Sequence, residues 1–392
     1  MLAKSLQETY PAAFLLCAQE TTEAAHKEEG MKESLWSGSR VSNVLVVVLS
    51  WLLLGCPAGA GTPKGYGSYR VLPAIVRGNL AIFPVVGGAP HDTSLLMTLD
   101  EGVRSGQVTV TEAGDERGLV RYGHTVPRRH SGAEVNRLVL YNNSDRPLLL
   151  LAGEIVTGGR QDRVIGSDRI VPANSGPIDL GVFCVEPGRW VESSPKFGSM
   201  GAQMAQPSVR TPAMASKDQN LVWDNVRASN ENMAGNLGGS EAAEVRGQSS
   251  YAKVFESAPV RQKIAGYGGA ESEQAILREL RARGAVGVVV AVNGRVLWAD
   301  IFASTELLAK YWPKLMRSYV AEAMTSSGYG DAADLREAEL FIRNLDGGHE
   351  VAETEPGVFR RTEITGDGYR VFELTSLLPR AEFDVHVTKL RG

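Results

Sequence analysis

Cysteine is scarce in this 392-residue chain: only Cys17, Cys56 and Cys184 occur. Two of the three sit in or near an N-terminal leader. That leaves Cys184 alone in the mature protein, which excludes a disulfide scaffold. No cysteine pair has zinc-site spacing, and the six histidines (His26, His91, His124, His130, His349 and His386) show no ligand spacing either. His124 and His130 flank Pro127-Arg128-Arg129 and read as a solvated loop. Charge of one sign is also missing. The 41 Lys and Arg balance 45 Asp and Glu to a net −4, with no basic block to form a nucleic-acid face. There is no Walker loop, zincin motif or internal repeat. Gly328-Tyr329-Gly330-Asp331-Ala332-Ala333 is only a loose dinucleotide fingerprint, and it follows a helical segment rather than a strand. No cofactor is implied.

A long hydrophobic run occurs once. Val44 to Gly55 is apolar, preceded by Lys32 and Arg40 and followed by Ala58-Gly59-Ala60. A positive segment, a short apolar core and a small-x-small site form a secretory signal. Met31 fits as the true start, so residues 1–30 read as an upstream extension, 31–60 as the signal peptide and 61–68 as a tether. Leu53-Leu54-Gly55-Cys56 also resembles a lipobox, which would make Cys56 a lipidation site. A retained anchor is the third option. Each predicts a secreted or periplasmic protein, touching a membrane only through its leader or a lipid.

What remains, 69–390, predicts a single α+β domain with a sizeable core, since 43% of the chain is hydrophobic. Tyr69 to about Val191 reads mostly as short strands separated by Gly, Asn and Pro turns, the pattern of a β-rich sandwich or barrel-like layer. Thr98–Ser105 reads as one short helix. Residues 192–250 turn to Ser, Gly, Gln, Asn and Met; only Asp218–Arg227 looks helical. The composition predicts a polar flexible insertion there. The C-terminal half is mixed. Ser272–Arg283 is amphipathic. Ala285–Val292, Asn293-Gly294 and Arg295–Ile301 form a hairpin pattern. Ser304–Met324 is helical with a bend at Pro313, Asp331–Leu345 is a further helix, and three or four strands occupy Val351–Val387.

One segment breaks the rule that apolar strands stay apolar. Leu149-Leu150-Leu151-Ala152-Gly153-Glu154-Ile155-Val156-Thr157 leads through Gly158-Gly159 into Arg160-Gln161-Asp162-Arg163. A second run, Val182-Phe183-Cys184-Val185-Glu186, leads into Pro187-Gly188-Arg189-Trp190. Charges at strand ends mark a site or a buried ion-pair network. The diglycine permits positive φ and close approach of backbone to a ligand. Arg160, Gln161, Arg163 and Arg189 are forked donors suited to phosphate or carboxylate, and Trp190 offers a stacking face. Cys184, between Phe183 and Val185, reads as an inert buried thiol.

Gly153-Glu154, the Gly158–Arg163 run and the Cys184–Trp190 run resemble the ARG and rhodanese-phosphatase-superfamily-associated protein domain, where ARG stands for ADP-ribosylglycohydrolase. Asp300-Ile301-Phe302, Tyr311-Trp312, Leu315 and Ser318-Tyr319 resemble the C-terminal half of that family. The resemblance covers most of 69–390. The family is functionally uncharacterised, and its name implies only an association with ADP-ribose-type chemistry. Two site hypotheses follow from the residues. In one, a small anionic or polar ligand is bound by Glu154, Gln161, Arg163, Glu186 and Arg189. In the other, a hydrolase or transferase uses Glu154 and Glu186 as acid and base about 5–10 Å apart. A structural surface module is the third possibility.

Overall fold

The computed structural model describes residues 68–113, 136–188, 193–199, 204–267, 269–328, 330, 333–343 and 348–392. Cys56, Arg189, Trp190, His124 and His130 fall outside these residues, as does the whole leader.

The N-terminal half is β-rich, as its turn spacing predicted. Its strands are β1 (Tyr69–Val71), β2 (Ile75–Arg77), β3 (Leu80–Gly87), β4 (Met97–Thr98), β5 (Val108–Glu112), β6 (Arg137–Asn142), β7 (Leu148–Leu150), β8 (Ile155–Gly159), β9 (Arg163–Ile165), β10 (Arg169–Val171), β11 (Ser175–Cys184) and β12 (Ser194–Gly198). One short helix, α1 (Leu99–Arg104), interrupts them. It starts where Thr98 and Glu101 form a reciprocal capping box.

Six of these strands form a sheet in the order β12-β8-β9-β11-β6-β5. The sheet curls until its ends meet: the Arg160 backbone NH, just after β8, donates to Glu112 Oε1 at the end of β5, at 2.9 Å. The result is a nearly closed barrel. Its interior is filled by alternate residues of each strand, among them Val110, Leu140, Val156, Ile165, Val182 and Phe197. A three-stranded sheet, β10-β7-β4, lies apart from it in the hydrogen-bond pattern.

The C-terminal half is mixed. It supplies β13 (Ala285–Val292), β14 (Arg295–Phe302), β15 (His349–Glu355), β16 (Phe359–Gly366), β17 (Tyr369–Leu378) and β18 (Ala381–Arg391). With β1, β2 and β3 these form a nine-stranded antiparallel sheet, ordered β1-β3-β13-β14-β18-β17-β16-β15 with β2 on β3. The β13–β14 hairpin turns at Asn293 and Gly294, both at positive φ (51° and 77°), as an Asn-Gly turn requires. Every residue of β13 is buried because both sheet faces are covered. One face packs Leu80, Ile82, Val288 and Val290 into the main core. The other packs Phe83, Val289 and Ile301 against Phe341 and Ile342 of helix α9 (Leu335–Arg343).

The 192–250 stretch departs from its polar composition. Within it and just beyond, the chain folds into α2 (Pro207–Thr211), a π-helical turn (Pro212–Ser216), α3 (Gln219–Gly235), α4 (Gly239–Arg246), α5 (Tyr251–Glu256) and α6 (Ala258–Gly266). These helices are short or weakly amphipathic, so their periodicity is faint. Even so, Val209, Met214, Val222, Val226, Met233 and Val245 all enter the main core. From Pro207 onward the described residues form a helical layer. Helices α7 (Gly269–Ala282) and α8 (Thr305–Thr325) complete the layer, with Pro313 inside α8. No helix among the described residues is long and apolar enough to cross a membrane.

Candidate functional site

The two motif runs do meet, but only in part. β9 lies between β8 and β11, pairing Val156 with Arg163 on one side and Cys184 with Arg163 on the other. Gln161, Asp162, Arg163 and Glu186 thereby form one buried cluster. Gln161 Nε2 donates to the Glu186 carbonyl at 3.2 Å, and the Asp162 NH donates to Glu186 Oε2 at 3.2 Å. Arg163 Nη1 donates to Gln161 Oε1 at 3.3 Å, and its Nη2 lies 3.7 Å from Glu112 Oε1. Arg163 is fully buried and Glu186 is 1% exposed, so these groups face protein rather than solvent.

Glu154 belongs elsewhere. Its carbonyl accepts from the Ile165 NH at 2.9 Å, which levels it with residue 165. Glu186 extends two residues past Cys184, level with residue 161. The partners differ too. Glu154 bonds the Lys314 ammonium on α8 and accepts from the Leu151 NH at 2.8 Å. Lys314 also meets Asp100 at 2.9 Å. Glu186 lies 3.9 Å from Lys253. The two carboxylates thus have different partners: Glu154 with Lys314 near Asp100, Glu186 with Asp162 and Lys253. Burial, with Asp100 adding to it, pushes the Glu154 carboxyl up against the pull of Lys314. Burial alone would lower the Lys314 ammonium, but Glu154 and Asp100 outweigh it and raise it.

The diglycine serves the fold rather than a ligand. Gly158 (φ 130°) and Gly159 (φ 50°) pass so close to β12 and β5 that side chains do not fit. A Cβ at Gly159 would lie 2.2 Å from Phe197 Cζ and 2.6 Å from Glu112 Oε1; one at Gly158 would lie 2.7 Å from the Lys196 carbonyl. Arg160, half-buried, sits at this barrel seam. Cys184 is enclosed: its NH and carbonyl both bond the Gln219 side chain, at 2.8 and 2.9 Å, and burial pushes its thiol up.

A third network holds Gly153, Asp300 and Tyr319. Gly153 (φ 94°) leaves room for Arg210, whose Nε would lie 2.5 Å from a Cβ there. Arg210 reaches Asp300 with both Nη atoms, at 3.2 and 3.3 Å, and stacks over Trp298 at 4.5 Å. Asp300 also accepts from Trp298 Nε1 at 2.9 Å, Thr388 Oγ1 at 2.9 Å and the Tyr319 hydroxyl. His386 bridges onward, with Nε2 3.2 Å from Asp300 and Nδ1 2.6 Å from Asp168. Burial works against the Asp300 charge, yet Arg210, His386 and Tyr319 together hold it well below the usual carboxylate range. Burial likewise works against the His386 imidazolium, but Asp168 and Asp300 push it up to about 9. Asp168, Arg210, His386, Lys314 and Asp100 were not singled out by sequence. Asp168 and Arg210 sit in unremarkable polar contexts, and only the fold brings them to Asp300.

A concave feature lies among α5, α6, α7 and α8. It is a cavity of about 430 Å³, walled by Met204, Phe255, Met316 and Val320, with Glu256, Arg261, Glu273 and Arg317 also lining it. Helix α5 separates it from the motif cluster and is stapled to that cluster. Ser250 Oγ donates to Asp162 Oδ2 at 2.9 Å, and the Tyr251 NH donates to the Val185 carbonyl at 3.1 Å. Among the described residues, no group of three or more His, Cys, Asp or Glu is placed to hold a metal ion.

Comparison with curated proteins and with solved structures returns no match. The family model of the ARG and Rhodanese-Phosphatase-superfamily-associated Protein domain matches residues 68–388. The Gly153, Glu154, Gly158-Gly159, Asp300 and Tyr319 positions just described lie within that span, and the chain belongs to this family.

Proposed function

We propose that this is a small-molecule-binding domain whose ligand sits in the cavity among α5–α8. The observation that carries the proposal is the cavity itself. Its volume of about 430 Å³, its mainly apolar wall and its few charged groups match the usual build of a ligand site. The sequence pointed to binding by Glu154, Arg163, Glu186 and Arg189. Of these, the described residues are buried and committed to protein partners, so the proposal moves the ligand one helix away. The motif cluster then holds α5, and α5 supplies Tyr251, Phe255 and Glu256 to the cavity.

The leader belongs to the same proposal. A signal over 31–60 would hold the domain outside the cytoplasm, soluble or tethered through a lipid on Cys56, where it meets extracytoplasmic ligands. Mass spectrometry of the mature N-terminus distinguishes lipidated Cys56, free Gly61 and an uncleaved anchor.

Binding is tested by thermal shift against a panel of ADP-ribose, sugars, phosphate esters, short-chain carboxylates and aromatic compounds. A ligand at a hundred times its Kd stabilises by about 2.7 kcal/mol, well above noise. The same panel is run on Ala321→Phe, which fills the cavity wall. A shift in the native chain that disappears in the filled variant supports the site. No shift with any compound, or a shift that survives filling, overturns it.

A further inference from the structure

Resting on the cavity reading above, we propose that the ligand is an apolar-bodied molecule poor in hydrogen-bonding groups, a small aromatic or short-chain acyl compound, and not a phosphate-bearing anion of the ADP-ribose type. The hydroxyls of the wall are already spent. The Tyr251 hydroxyl accepts from the Gln206 NH at 3.0 Å and donates to Gln206 Oε1 at 3.3 Å. The Tyr267 hydroxyl donates to Asn79 Oδ1 at 2.8 Å. Both rings line the cavity while their hydroxyls bond elsewhere.

The rest of the deep wall offers Met204, Phe255, Met316, Val320 and Ala321, all buried. Tyr251 and Phe255 form a tilted ring pair 4.7 Å apart. Rings and thioethers gain by contact with apolar or aromatic bodies, and methionine adapts to ligand shape. A diphosphate entering this wall would lose its water and find no buried donor to replace it.

The charged groups do not rescue such an anion. Arg317 is held by Glu273 at 3.6 Å, and Arg261 shares the cavity with the Glu256 carboxylate. Two carboxylates thus accompany the two guanidinium groups, leaving no net positive field to draw in a doubly charged ligand. An uncharged body escapes this conflict.

The test uses N-phenyl-1-naphthylamine, an uncharged aromatic fluorophore, titrated into the full chain. Competition is with ADP-ribose, and the variants are Ala321→Phe and Ala265→Trp. Ala265 is exposed on α6 beside the cavity, so Ala265→Trp caps it without disturbing the core. The expected result is saturable fluorescence that ADP-ribose does not displace and that weakens about tenfold or more in either variant. If ADP-ribose displaces the fluorophore, or stabilises the native chain but not Ala265→Trp, the cavity reading stands and the ligand class is overturned. If the fluorophore binds equally to native chain and both folded variants, the cavity reading falls with it. If the native chain does not bind the fluorophore at all, the apolar ligand class is overturned, and the mixed panel decides the cavity independently.

Discussion

Arg210 lies against the bare backbone of Gly153 and grips Asp300 with both Nη atoms. The contact explains why a glycine precedes Glu154. Gly153→Ala places a Cβ 2.5 Å from Arg210 Nε at a φ of 94°, which both strains the backbone and drives the guanidinium off Asp300. Breaking a fully buried pair leaves an uncompensated charge, so a loss of about 3 kcal/mol or more is expected. Chemical denaturation measures it. Arg210→Met alone should cost a similar amount, and Gly153→Ala added to Arg210→Met should cost much less than it does in the native chain. Full additivity of the two would show that Gly153 does not act through Arg210.

The barrel seam makes a parallel claim about Gly159. Its Cβ would enter the Phe197 ring at 2.2 Å. Gly159→Ala is expected to destabilise by about 2 kcal/mol or more through overpacking and its positive φ. Phe197→Ala removes the obstructing ring at the cost of a cavity. In the double variant the second change should therefore cost less than in isolation. An interaction energy near zero in the double-mutant cycle would argue against closure by this contact.

His386 ties stability to pH. Its folded imidazolium is held at about 9 against 6.5 unfolded. Protonation thus stabilises the fold: the contribution is complete below about pH 6.5 and is lost as pH rises towards 9. The shift corresponds to about 3 kcal/mol. Lys389, lowered to about 8 by burial over Tyr369, acts in the opposite sense at higher pH, so the native chain alone is ambiguous. The difference between native chain and His386→Gln isolates the histidine. That difference should shrink by about 3 kcal/mol between pH 6 and 9.5 in urea titrations. A constant difference would show that the Asp168–His386–Asp300 chain is not charged as described.

Much of the fold was legible because its signals are local. Asn293-Gly294 needs only a turn type, the short helix from Thr98 needs only local sequence, and the continuous apolar run of β13 needs only cover on both faces. The helical layer was not legible. Helices such as α4 and α6 carry few apolar residues each, and their burial depends on partners far along the chain. The site was half legible. Gln161, Arg163 and Glu186 come together because strands β8, β9 and β11 are neighbours, a relationship that alternation suggests. Glu154 does not join them, because register decides which residues stand level and register is not written in composition. Arg210, Asp168 and His386 were invisible for a related reason: they join a network around Asp300, Asp168 by way of His386, from 90, 132 and 86 positions away in sequence. The flexible diglycine suggested a ligand, whereas the close neighbour is another strand of the same barrel.

Cys184 gives a last, chemically simple test. Its thiol is buried, its backbone is fixed by Gln219 on both sides, and burial pushes the thiol up, so the thiolate that would react is suppressed. Native protein treated with iodoacetamide at pH 8 should leave the Cys184 peptide unmodified over hours, as read by peptide mass spectrometry. Denaturant should expose it to complete labelling within minutes. The labelling rate at intermediate urea should track the opening of β11 away from α3, because Gln219 must release the Cys184 backbone first. Rapid labelling of the native chain would mean that this end of the barrel opens readily. It would also return the Gln161–Glu186 cluster to contention as a ligand-accessible site.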